Sequence, residues 1–160
     1  MNFQAQACSL LLAAVFILAA LSKAHAPQNG LSLWAKVQGS TKAWHKFALA
    51  LLIALEFELG WRFLWLKPDL LSLVFCGALL LGFIAFLAWL KQQGHTESCS
   101  CYGSWLKLTP LEAIKLDLFY VLALGILILG LKENPPLMSE KLPMGASLAC
   151  VIYFFIRLKT

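Results

Sequence analysis

The chain has 160 residues, 61% of them hydrophobic and only 13% charged, with 13 Lys and Arg against 8 Asp and Glu for a net charge of +5. Soluble domains carry about 25% charge, so this composition and a mean hydropathy of +0.78 exclude that class and indicate one all-α, polytopic membrane domain over 1–160. In a soluble protein the basic excess would suggest nucleic acid. Here Lys and Arg flank apolar spans, where they set topology and contact anionic lipid, so the expected partner surface is membrane lipid and no nucleic acid is expected.

The first apolar run, 5–22, has no basic residue before it and ends in Ser22-Lys23-Ala24-His25-Ala26-Pro27. Ala24-His25-Ala26 imitates a signal-peptidase site, but the missing positive n-region and a length close to the ~17–25 residues of a span predict a retained helix. From Pro27 to Lys46 the chain is polar and mixed. A short Leu31 to Val37 segment within it reads as an interfacial turn of helix, with Trp34 and Trp44 at headgroup depth.

The second span, 47–66, carries Glu56, Glu58 and Arg62, and charges at that depth each need a partner. Glu58 and Arg62 stand four apart, carboxylate first, and can pair along one helix face. Glu56 faces elsewhere, in line with Gly60 one turn on, and a small residue beneath a lone carboxylate predicts a side that meets another helix. Lys67-Pro68-Asp69 reads as a tight turn before the third span, 70–90, where Ala78 and Gly82 offer a small-xxx-small face for close packing. Cys8, Cys76 and Cys150 lie inside helices and are expected to pack as small apolar side chains.

The loop from Lys91 to Leu108 holds His95, Glu97, Cys99, Cys101 and Gly103. It leads into Thr109-Pro110-Leu111-Glu112, in which Thr can cap, Pro suits the first helical position and Glu can return a bond to the cap. The fourth span is therefore expected over 110–130. Inside it Glu112 and Lys115 can pair, while Asp117 lacks a partner in its own helix. After a polar turn containing Pro135 and Pro136, a short fifth span is expected over 144–157. A four-helix transmembrane bundle with an added C-terminal span follows.

The centre of chemical interest is Ser98-Cys99-Ser100-Cys101-Tyr102-Gly103. Two thiols one residue apart can bridge if the backbone bends, in a small strained ring that is easily reduced, so the pair suits exchange better than stapling. Counting spans puts this loop, the 27–46 loop and the C-terminus on one face. Lys23 falls at the rim of that face, with Asp117 about 10 Å and Glu56 about 14 Å below it. Either the three form a functional pocket under the cysteines, or they satisfy one another as a network holding helices in register.

Gly94-His95-Thr96-Glu97-Ser98-Cys99-Ser100-Cys101-Tyr102-Gly103 resembles the Cys-x-Cys-aromatic-Gly signature of the methylamine utilisation protein MauE family, within the wider DoxX-like group of membrane helix bundles. Lys23, Glu56 with Gly60, and Asp117 match the family's Lys, Glu-x-x-x-Gly and Asn/Asp positions over roughly 5–130. Ser100 stands where the family usually has Gly, and Leu116 where it often has Arg. The resemblance implies an inner-membrane protein that accompanies a thioredoxin-like partner, MauD, and serves maturation of the disulfide-rich small subunit of methylamine dehydrogenase.

Three readings of the site stand at this level. As a thiol-disulfide oxidoreductase, a thiolate at Cys99 or Cys101 attacks a partner disulfide and the other cysteine resolves the mixed disulfide. Lys107, His95 and the amide end of the helix opening at Thr109 are the sources of thiolate-stabilising charge. Glu56 then accepts a proton if electrons pass to a membrane carrier such as a quinone. As a Cu or Zn handler, His95, Cys99 and Cys101 supply one nitrogen and two sulfurs but no fourth ligand. As a scaffold, the cysteines only pin the loop. Orientation pulls two ways. Lys23, Lys36, Lys42, Lys46, Lys91, Lys107, Arg157 and Lys159 crowd the thiol face, against Arg62, Lys67, Lys132 and Lys141 opposite, which predicts a cytoplasmic loop, whereas the resemblance implies a periplasmic one.

Overall fold

The computed structural model describes residues 3–38, 43–65, 68–94 and 108–133, and these form helices with no strand among them. The helices are α1 (Phe3–His25), α2 (Pro27–Gln38), α3 (Ala43–Leu64), α4 (Leu70–Gln92) and α5 (Pro110–Glu133). The expected fifth span, with Cys150, lies outside the described residues, as do His95, Cys99, Cys101 and Gly103.

Local chemistry fixes the helix ends. Ala26 precedes Pro27 and is disfavoured in helix, so α1 stops there, while Pro27 itself suits the first position of α2. The interfacial segment thus begins four residues earlier than the Leu31 to Val37 expectation, and Gly30 is helical. Gly30 packs against α3, because a Cβ there would come within 3.1 Å of the Leu49 side chain. Asp69 caps α4, its Oδ1 accepting from the Ser72 N–H at 2.9 Å. Gly94 closes the same helix at φ 79°, a conformation open to a residue without Cβ, and its N–H donates to Lys91 O at 3.0 Å. Thr109 and Glu112 form the expected capping box: Glu112 Oε2 accepts from the Thr109 N–H and Oγ1, both at 2.8 Å, and the Glu112 N–H donates to Thr109 Oγ1 at 3.4 Å.

Among the described residues three helices are long and apolar enough to cross a membrane: Phe3–His25, Leu70–Gln92 and Pro110–Leu131. α3 carries Glu56, Glu58 and Arg62, yet it lies antiparallel to α1 along its length, from Ser9 Oγ donating to Phe63 O at 2.8 Å to Lys23 bonding Glu56. Its 22 residues give about 33 Å of helix, enough for the ~30 Å hydrocarbon layer, and exposed Trp44 and Trp65 mark its two ends. α3 is therefore long enough to cross beside α1.

Packing runs in the order α3, α1, α5, α4, with α3 and α4 touching sparingly and α2 lying across the α1–α3 end. One apolar core, including Leu12, Phe16, Phe63, Cys76, Leu124 and Leu127, joins all four long helices in the half farther from α2. In the other half the core divides. Ala20, Leu31, Leu49 and Ile53 tie α1, α2 and α3 together, while Leu87, Leu90 and Ala113 tie α4 to α5. Polar groups occupy the space between. Large apolar side chains such as Leu122, 62% exposed, and Leu81, 60% exposed, face outward, the arrangement a lipid solvent requires.

The expected small-xxx-small face on α4 does not pack against another helix among the described residues. Ala78 and Gly82 are exposed, and a Cβ on Gly82 would meet nothing within 4 Å. The close helix approach is at Gly60 instead. A Cβ there would stand 2.7 Å from Ile17 Cγ1, 3.0 Å from Ile17 N and 3.1 Å from Ala13 O, so the missing side chain is what lets α3 lie against the α1 backbone.

Candidate functional site

The interior charges come from three helices. Lys23 lies in the last turn of α1, where a rim position was expected, but it is 5% exposed. The Cα–Cβ bond on a helix tilts toward its N-terminus, so a lysine here extends inward along the bundle, and α2 closes over the helix end. Its Nζ donates to Glu56 Oε1 at 2.6 Å and Oε2 at 2.8 Å. Glu56 is 1% exposed and sits on α3 one turn before Gly60, on the face pressed to α1. Removing two ions from water costs several kcal/mol each, of order, and a two-pronged contact of this kind offsets it.

Asp117, also 1% exposed, brings a second carboxylate from α5. It lines one cavity with Lys23 and Glu56. Tyr120, one turn further along α5, lines the same cavity. From α4 come Leu80 and Phe83, the Phe83 ring centroid lying 5.6 Å from Lys23 Nζ, within cation–π range. The space left between these groups is about 10 Å³, at the lower bound for one water. Lys23, Glu56 and Asp117, picked out in sequence, are thus brought together.

Sequence reasoning missed several polar residues. Tyr120 reads in sequence as one more aromatic in an apolar span; its signal is the i,i+3 spacing from Asp117. His45 is fully buried at the α2 end of α3, on the stripe that continues through Leu49 and Ile53 to Glu56. Ser9, also fully buried, anchors α1 to the far end of α3. Glu58 and Arg62 do pair, Nε to Oε1 at 3.0 Å, but Arg62 Nη1 also reaches across the turn to Asp69 Oδ2 at 3.2 Å and Ser72 Oγ at 3.4 Å.

Cys99, Cys101, His95 and Gly103 belong to the segment that leaves α4 after Gly94 and returns before Leu108. Both anchors lie at the bundle end that carries α2, whereas Glu56 lies about 20 Å along α3 from Ala43, deeper than the ~14 Å expected, so the polar cavity sits near the middle of the bundle rather than directly beneath that segment. Among the described residues no three His, Cys, Asp or Glu side chains form a metal-binding group. Cys76 is fully buried in the apolar core and Cys8 packs against that core, both as free thiols.

A protein-family model described as methylamine utilisation protein MauE matches residues 1–131. That interval holds all five helices except the last two residues of α5, the Lys23, Glu56 and Asp117 cluster and the double-cysteine segment. No curated protein and no solved structure matches the chain.

Proposed function

The chain belongs to the methylamine utilisation protein MauE family, a membrane protein by its helices, and on that premise we propose that it is a thiol-disulfide component acting through Cys99 and Cys101. A thiolate of one cysteine attacks a partner disulfide. That bond breaks, a mixed disulfide forms and one partner thiolate departs. The second cysteine then attacks the mixed disulfide, leaving Cys99–Cys101 oxidised and the partner reduced by two electrons. Run in reverse, the same steps oxidise the partner and leave two thiols here. A membrane quinone is the carrier class that would take up those two electrons and two protons, with Glu56 as the proton-accepting group.

The observation that supports this reading most is the buried Lys23–Glu56 pair with Asp117 beside it, near the middle of the bundle, which Lys23 reaches from the end at which the cysteine segment leaves. Ionisable groups inside a membrane are costly and mark functional pathways. By resemblance the partner is a thioredoxin-like protein and the client a disulfide-rich enzyme subunit made outside the cytoplasm. The cysteines are accordingly assigned to the periplasmic face of the inner membrane. The basic residues on that face weigh against this, but Lys23 is bound internally by Glu56 and adds nothing to the surface charge that sets orientation. A scaffold role draws on the same ion pair, which clamps α1 to α3.

Two measurements separate these readings. A Cys99→Ser or Cys101→Ser variant should trap its partner as a mixed disulfide, and full client maturation by the double Ser variant would remove the redox assignment in favour of the scaffold. Labelling of intact cells with a membrane-impermeant thiol reagent should reach Cys99 and Cys101. Labelling only after the membrane is broken would place them in the cytoplasm.

A further inference from the structure

The geometry points to a phospholipid site at the α3–α4 seam, selective for a headgroup bearing a primary ammonium. The site lies on the face opposite the double-cysteine segment and is independent of the redox reading.

Consecutive antiparallel helices joined by a short turn ordinarily pack along their length. Here α3 packs on α1, α4 packs on α5, and the seam between α3 and α4 is left largely open. A groove of about 150 Å³ occupies it. Arg62 and Ser72 line its upper part, Glu58, Leu59 and Phe75 its middle, and Leu55 its deepest part. Counting from Leu64, the end of α3, Glu58 lies about 9 Å and Leu55 about 14 Å down the helix. Arg62 and Ser72 are thus just beneath headgroup level, and the groove becomes apolar below Glu58, at acyl-chain depth.

The charges around the groove suit one class of occupant. Arg62 sits between two carboxylates, Glu58 at 3.0 Å and Asp69 at 3.2 Å, and all three side chains are partly exposed. Arginine carries five N–H donors, of which Nε and Nη1 serve Glu58, Asp69 and Ser72. Among the described residues the outer nitrogen has no partner, and it is placed to meet a phosphate oxygen. Two carboxylates on one guanidinium repel a headgroup whose only charge is a phosphate, but they complement a phosphate that carries its own ammonium. Hydrogen-bond donation then separates ethanolamine from choline, because a trimethylated nitrogen has no N–H to give Glu58 or Asp69. The acyl chain continues down the seam over Leu55, Leu59 and Phe75.

The test uses the full chain in nanodiscs of phosphatidylethanolamine, phosphatidylcholine and phosphatidylglycerol, followed by native mass spectrometry of the lipid retained after stepwise delipidation. One phosphatidylethanolamine per chain should be retained, preferred over phosphatidylcholine by about tenfold. Across the mono-, di- and trimethylated headgroup series the preference should collapse at the step that removes the last N–H. Glu58→Gln should weaken it, and Leu55→Trp, which fills the groove and leaves the charges in place, should abolish retention. Equal retention of ethanolamine and choline lipids would overturn the proposal, and so would preference for phosphatidylglycerol. Displacement by free ethanolamine at matched concentration would overturn the lipid as occupant. The headgroup series is read on the unaltered chain, so it decides the matter even if a variant fails to fold.

Discussion

Lys23 and Glu56, 33 positions apart in sequence, are joined by two hydrogen bonds of 2.6 and 2.8 Å inside an apolar bundle. The pair closes α1 onto α3 where the apolar core has divided, and it puts an ammonium and a carboxylate beside Asp117. In water such a contact contributes little; with both groups out of solvent, removing one strands the other.

Lys23→Met should therefore destabilise the bundle by about 3–5 kcal/mol, while the double variant Lys23→Met, Glu56→Leu should recover most of that loss. Denaturant unfolding in micelles checks this. Substrate oxidation by the double variant then separates the roles: a stable but inactive protein assigns the pair to chemistry, a stable and active one to register.

Gly60→Ala and Gly82→Ala should act in opposite directions. At Gly60 the added methyl meets the Ile17 and Ala13 backbone, and forcing α1 from α3 should cost about 1–3 kcal/mol. At Gly82 it meets nothing within 4 Å, and the gain in helix propensity should leave stability unchanged or raise it by up to ~1 kcal/mol. Thermal melts of the two variants in the same detergent decide between these outcomes.

At the turn before α4, burial pushes the Asp69 carboxyl up, but hydrogen bonds from the Ser72 side chain and N–H, with the Arg62 guanidinium, outweigh it and hold Asp69 below its ordinary 3.8. A carboxylate depressed on folding contributes stability that is fully present above 3.8 and lost as pH falls through its folded value. Stability should decline as the medium is acidified below about pH 4, and Asp69→Asn should decline less over that interval. An unfolding series from pH 6 to pH 2, run on both proteins, measures the difference.

Thr109 caps α5 directly after the double-cysteine segment. Thr109→Ala removes the side-chain half of the capping box and should cost about 0.5–2 kcal/mol. Thr109→Ser should retain the cap, with both effects visible in thermal melts.

The four long helices were legible because each is a mainly apolar run with Pro, Asp or a capping box at or near an end, and these signals are local. The Lys23, Glu56 and Asp117 cluster was legible for a related reason: once pairs within one helix are set aside, few charges are left inside the membrane, and they must meet. What escaped depends on which helix a face meets. Ala78 and Gly82 carry the same small-residue pattern as a packing seam, but α4 turns them to the exterior. The same limit hid Tyr120 and His45, and it concealed the reach of Arg62 across a turn to Asp69. Gly30 lies in a polar stretch yet is helical, and its missing side chain lets α2 approach Leu49.

The central claim is that Cys99 and Cys101 exchange electrons, and their redox state in living cells tests it most directly. Cells are quenched in acid before, during and after a pulse of dithiothreitol, and free thiols are alkylated with a mass tag on a chain whose other cysteines are replaced by Ala. The pair should be oxidised before the pulse, carry two tags during it and return to the oxidised state once the reductant is removed, more slowly in Glu56→Gln. Two tags at every stage would contradict the account.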